Sequence, residues 1–262
     1  LPTFAGGSIA AFGLSSSLFA LLLYLVIYLQ DAKGYSAMGT GLRLLVLSGG
    51  IMLTASISGR LTSKIPIRLL IGPGLLLVSA SLFLMAGLNA HSSWTELIPG
   101  FIVGGIGVGL VNPPLASTAV GVVEPRRAGM ASGINSTFRQ VGIATGVAAL
   151  GSVFGSRLSH NLSHQLSSVP GFSGHTTQVS SVVQSGGITK LLGSLPADLR
   201  AKVSADVLGA FANALDFVLV IGGVVALVAG LASLALIRAK DFAQGSQSGG
   251  HTAEAPVPAV GG

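Results

Sequence analysis

Arg139 is the residue whose setting most restricts what this sequence can do. It stands inside an apolar run, roughly Met130–Phe154. It lies about nine residues in, so at ~1.5 Å per residue it is some 13 Å from that end of the helix. An unpaired Arg at such depth in hydrocarbon costs at least ~2.5 kcal/mol, so its guanidinium is expected to face protein or water. Asn135, four residues earlier, shares its helix face with Gly142 and Gly146, and Gln140 follows directly. The stripe fits a polar cavity or a helix interface. Snorkelling to the headgroups is the alternative if the helix starts nearer Ser136.

A second candidate is Asn112-Pro113-Pro114, inside the run Leu97–Val120. Two prolines remove two backbone donors and free two carbonyls, which predicts either a kink lining a cavity or a tightly packed helix with a passive kink. Gly100, Gly104, Gly105 and Gly109 in the same run allow close backbone approach. Asp216 is the one acid well inside an apolar run, and membrane carboxylates are the usual proton carriers. It lies about five residues from the outer end of its run, so a solvated interfacial acid beside Asn213 competes with a weak proton-coupling role. Arg43 is also near a span end, where a structural, snorkelling role leads.

His160 and His164 have the i, i+4 spacing of metal ligands, with His175 nearby. In a Ser-rich segment without a carboxylate partner they read as solvated, and no metal site is expected. There is no cysteine, no phosphate-binding loop and no nucleophile motif, so neither a cofactor nor an enzymatic activity is expected.

The elements that must carry these residues follow from composition. Half of the 262 residues are hydrophobic and only 8% are charged, too little polar surface to coat a soluble globule. Spanning ~30 Å of hydrocarbon takes about 20 helical residues. Six runs reach that length: roughly Ile9–Leu29, Gly41–Gly59, Ile67–Leu88, Leu97–Val120, Met130–Phe154 and Phe211–Ile237. The net charge of +6 resides mostly between these runs, which argues for membrane topology and against a nucleic-acid partner. Arg60, Lys64 and Arg68, then Arg126 and Arg127, then Arg238 and Lys240 fall on one side of the membrane. By the positive-inside rule that side is cytoplasmic, together with both ends of the chain.

Five spans thus occupy residues 1–154. A Ser/Gly-rich extracytoplasmic loop is expected over 155–209, with a surface helix near 196–209, marked by Leu199, Val203 and Val207, running into the sixth span (210–237). A cytoplasmic disordered tail is expected over 238–262. The chain opens Leu1-Pro2-Thr3 without an initiator Met or a signal peptide, and reads as part of a longer protein.

The turn Gly59-Arg60-Leu61-Thr62-Ser63-Lys64-Ile65-Pro66-Ile67-Arg68 can grip helix ends and anionic headgroups, or serve only as positive-inside anchoring. Tyr28-Leu29-Gln30, Gly34-Tyr35-Ser36-Ala37, Gly41-Leu42-Arg43-Leu44-Leu45 and this turn resemble the fourteen-helix drug/proton antiporter branch of the major facilitator superfamily, at its ninth and tenth helices. Gly104-Gly105-Ile106-Gly107-Val108-Gly109, Pro113-Pro114, Glu124 to Arg127 and Ala131-Ser132-Gly133 to Arg139-Gln140 resemble its twelfth and thirteenth. Ser63, Lys64 and Pro66 stand where the family's Gly-Arg-Leu-x-Asp-Arg-x-Gly loop has Asp, Arg and Gly, which puts its charge-paired lock in doubt. Val46 stands where such transporters often have Pro.

The resemblance implies an all-α, polytopic membrane protein whose six transmembrane helices form the carboxy-terminal half-bundle of a transporter in the cell (inner) membrane. It implies proton-coupled efflux of hydrophobic drugs or toxic compounds by alternating access, with lipophilic small molecules and protons as partners beside the bilayer and a missing amino-terminal half. Asn112, Pro113, Asn135, Arg139 and Gln140 are the cavity or gating candidates, and Gly59, Arg60, Lys64 and Arg68 the cytoplasmic gate loop. A nutrient or metabolite permease on the same fold, or a non-transporting membrane module, are the alternatives.

Overall fold

A computed structural model describes residues 2–89, 92–121, 123, 125–166, 176–193 and 196–238. The expected disordered tail, apart from Arg238, lies outside the described residues, as do His175, Glu124 and Lys240. The chain is all-α. Helix α1 (Pro2–Ile27) ends in a π-turn over Tyr28–Ala32, and α2 (Ala37–Leu61) and α3 (Arg68–Leu84) follow. Next come α4 (Ile98–Gly121), entered through a 3-10 turn at Trp94–Leu97, and α5 (Ala128–Leu166). Two short helices, α6 (Thr176–Gln184) and α7 (Ile188–Gly193), precede α8 (Ala197–Leu236). Among the described residues, five helices are long and apolar enough to cross a membrane, and α3 is a shorter apolar helix of 17 residues. The protein is a polytopic membrane protein.

Glycine sets how these helices pair. Gly142 of α5 lies against Phe12 of α1 and Gly146 against Ser16, so the two helices run parallel. In the same way Leu47 and Gly50 of α2 meet Gly105 of α4, and Thr54 meets Gly109. The pairs α3–α4 (Met85 with Gly100, Val78 with Gly107) and α1–α8 (Gly6 with Ile237, Gly13 with Ala229) are antiparallel. Between α3 and α8, Ser79 donates to the Gly223 carbonyl at 2.7 Å. Exchanging α1, α2 and α3 for α4, α5 and α8 interchanges the first two pairs, interchanges the next two, and leaves α3–α8 as it is. Since α1 and α4 run in opposite directions, the bundle is an inverted repeat of three helices. The start of α1 and the end of α8 meet at Thr3, which accepts from the Arg238 amide at 2.9 Å.

Two sequence expectations are corrected. The third run was read to Leu88, but α3 stops at Leu84, and the chain turns at Gly87 with φ of +92°, a left-handed conformation that favours glycine. The expected loop over 155–209 is largely helical among the described residues: α5 continues to Leu166, and α6 and α7 follow. The helix expected near 196–209 is the first part of α8, which starts at Ala197 and packs into the bundle core. The physical reason is a second apolar stripe: Leu158 and Leu162 on α5, and Val203 and Val207 on α8, are fully buried in the common core. Helix α6 covers that extension through Val183, also fully buried, and through Ser159, which donates to Ser180 at 2.8 Å. Gln184 reaches back to donate to the Gly151 carbonyl at 3.1 Å.

Candidate functional site

The two prolines of α4 do not interrupt it; the helix runs through them to Gly121. Pro114 lacks the amide that would bond the Leu110 carbonyl four residues earlier. That carbonyl accepts instead from the Ser58 hydroxyl of α2, at 2.9 Å, and Ser58 is fully buried. The Pro114 carbonyl in turn accepts from Ser117 and Thr118, both at 2.8 Å. Of the two readings offered by the sequence, the tightly packed helix fits better. Gly105 touches the Gly50 backbone, and a Cβ at Gly109 would come within 2.7 Å of the Ile51 carbonyl oxygen.

Directly before the prolines, the Asn112 side-chain oxygen accepts from Arg139 Nη2 at 2.6 Å. This contact joins α4 to α5 and brings together two residues that the sequence singled out separately. Arg139 and Asn112 are both half-buried. The guanidinium is therefore bonded to a neighbouring helix of the bundle. One turn earlier on α5, Asn135 is buried and lines a narrow crevice with Phe4, Gly7 and Ser8 of α1 and Leu115 and Thr118 of α4. Gln140 is exposed and does not join this group. Pro113 is half-buried beside Asn112.

The chemistry available here is hydrogen bonding by a permanent cation. The guanidinium carries five donors, of which one is committed to Asn112, and it keeps its charge at any physiological pH. Such a group can bind an acceptor, or switch between acceptors when the helices shift. Among the described residues no carboxylate pairs with it.

The remaining candidates lie elsewhere. Gly59 and Arg60 occupy the last turns of α2, Lys64 the turn that follows and Arg68 the start of α3, and all four are exposed. Within the turn, the Lys64 amide donates to Leu61 O at 2.9 Å and the Ser63 hydroxyl to Arg60 O at 3.0 Å. Asp216, expected beside Asn213, instead accepts from the Gly87 amide, fastening the α3–α4 connection to α8. Asn213 donates to its own helix at Gly209 O, 2.9 Å away. His160 and His164 pack edge to face, 4.9 Å between ring centroids, and no cluster of metal-ligating residues forms among the described residues.

Sequence reasoning missed the environment of Arg43. Its guanidinium lies 3.5 Å from the centroid of the Tyr35 ring and 5.0 Å from that of Trp94. It also donates to the Gly39 carbonyl at 2.8 Å. A cation held on aromatic faces at a helix end explains the charge there without a ligand. Nearby, Lys33 sits over the Tyr28 ring at 5.5 Å; burial pulls its ammonium pKa below the usual lysine value, and the charge of Glu96 opposes that shift.

A family model described as Major Facilitator Superfamily matches residues 2–147. The chain is 35% identical over 137 residues to Multidrug resistance protein Stp of Mycobacterium tuberculosis, covering 52% of this chain and 25% of that protein. It is 37% identical over 153 residues to Puromycin resistance protein pur8 of Streptomyces alboniger, covering 56% and 30%. It is 26% identical over 240 residues to Tetracenomycin C resistance and export protein of Streptomyces glaucescens, covering 91% and 44%. The chain thus spans less than half the length of these relatives.

Proposed function

This chain belongs to the Major Facilitator Superfamily, and from that premise we propose that it forms the carboxy-terminal half-bundle of an exporter of hydrophobic drugs or toxic compounds. The observation that carries the reading is the Arg139–Asn112 contact, a charge-bearing bond between two helices of a glycine-packed bundle. Relatives named for resistance to puromycin and for tetracenomycin export supply the substrate class. Few polar groups converge on the contact, which suits lipophilic cargo better than a sugar or an amino acid.

In this reading, a related amino-terminal half faces the exposed apolar residues of α2 and α5, among them Met52, Ile57, Phe138 and Val141. The two halves rock about cargo held between them, with the basic ends of α2, α4 and α8 in the cytoplasm. The guanidinium of Arg139 holds α5 to α4 in one state and exchanges Asn112 for cargo or for a group of the other half in the other state. Protons drive the cycle through carboxylates of the missing half, while Asp216 serves the α3–α4 turn.

The test is drug accumulation in cells producing the complete gene product. Wild type is expected to keep intracellular dye low, and Arg139→Ala to raise it at unchanged membrane abundance. Unimpaired export by the variant would reduce Arg139 to an anchor.

A further inference from the structure

Two cavities follow one another along the seam between α5 and α8. The deeper one, of about 150 Å³, is lined by Thr145, Gly146 and Ala149 of α5 and Ile221 and Val225 of α8, and is closed at the back by α1. The other, an open groove of about 440 Å³, is lined by Ser152, Ser156, Arg157 and His160 of α5 and by Phe217 of α8. Ala149 is one turn from Ser152, and Ile221 one turn from Phe217. Thr145, Ala149, Ser152 and Ser156 recur at three- and four-residue steps, so they form one stripe of the helix.

The seam changes character along its length. Its deep part is apolar. Its outer part carries Arg157, whose guanidinium stacks on the Phe217 ring at 3.8 Å from the centroid and is exposed. Stacking occupies one face of the guanidinium and leaves its edge N–H donors free to meet an acceptor. Two exposed hydroxyls, those of Ser152 and Ser156, flank it; the Ser156 hydroxyl bonds the Ser152 carbonyl at 2.9 Å. Arg157 lies one turn past Phe154, at the end of the apolar stretch and opposite the basic turns. From there to Thr145 the helix descends roughly 18 Å, close to half of a ~30 Å hydrocarbon core.

We propose that this seam binds an anionic phospholipid, its phosphate on the edge of Arg157 and one acyl chain in the slot beneath. The deep slot is too small for a helix of ~10 Å diameter, which argues against a protein occupant. Among the described residues lining the groove, Arg157 is the permanent cation, which favours a negative headgroup over a zwitterionic one. This inference needs only that the chain sits in a bilayer, and stands or falls independently of what is transported.

The experiment is native mass spectrometry of the purified complete gene product titrated with phosphatidylglycerol or phosphatidylcholine of matched acyl chains. Phosphatidylglycerol is expected to be retained about fivefold better. Arg157→Gln should bring the two lipids level, Arg157→Lys should keep most of the preference, and Ala149→Phe should weaken both by filling the slot. A thermal melt in detergent reports whether each variant keeps the fold. Equal retention of both lipids by the wild type, or a preference that survives Arg157→Gln, would overturn the proposal. Displacement of phosphatidylglycerol by soluble glycerol phosphate would also overturn it, by assigning the site to a free phosphate compound.

Discussion

Arg43 stands in the second turn of α2 and Arg139 in the fourth turn of α5, the two helices that exchange under the inverted repeat, and the protein holds their charges in different ways. Arg43 is wedged against Tyr35 and Trp94 and bonded to its own helix at Gly39. Its neighbours are rings and a carbonyl of the same end of the bundle. Arg139 instead reaches across to one amide oxygen on a different helix. A contact of that kind has a single bond to break and a full set of donors to re-use. Repeat symmetry therefore supplies two related helices, and side-chain chemistry makes one arginine an anchor and the other a candidate switch.

Four substitutions probe that contrast. Arg139→Ala should have the largest effect: a hydrogen bond to a charged group is worth ~1.5–3 kcal/mol, so export in the complete gene product should fall by about tenfold or more. Insertion should be unchanged, as read from membrane abundance. Asn112→Ala keeps the cation but removes its acceptor, and export should fall by a few-fold, about 1 kcal/mol. Arg43→Ala should leave export near wild type and lower thermal stability in detergent by about 1 kcal/mol, the scale of a partly exposed cation–π contact. If Arg43→Ala stopped export while Arg139→Ala did not, the contrast would be reversed. Ser58→Ala leaves the Leu110 carbonyl without its donor, and should cost ~0.6 kcal/mol in the same melt, the average for interhelical polar contacts in membranes.

Much of this architecture can be read from local sequence. A continuous apolar run has few options in a bilayer, so five of the six spans follow from composition and length. Arg139 announces itself because a charge at that depth is rare. Its partner does not: Asn112 lies 27 residues earlier, and only the packing of α4 on α5 brings the two together. The carbonyl freed by Pro114 was predictable, whereas Ser58 as its donor was not, because nothing local marks which serine of α2 faces α4. The start of α8 was legible in Leu199, Val203 and Val207, but the outer extension of α5 was hidden for another reason. Ser156, Arg157, His160 and Ser163 give α5 a polar appearance, and Leu158 and Leu162 between them are too sparse to signal a helix until Val203 and Val207 are seen in the same core. Helix α3 ended early because the Gly87 turn, fastened by Asp216, takes up residues whose composition is still apolar.

The contact between α4 and α5 is tested most directly by export of a lipophilic fluorescent cation from cells carrying wild type, Arg139→Ala or Arg139→Lys at equal abundance. A switch that depends on directed donors predicts near-complete loss in Arg139→Ala and only partial recovery in Arg139→Lys, whose ammonium cannot reproduce the guanidinium geometry. Export by Arg139→Ala at the wild-type rate would contradict it.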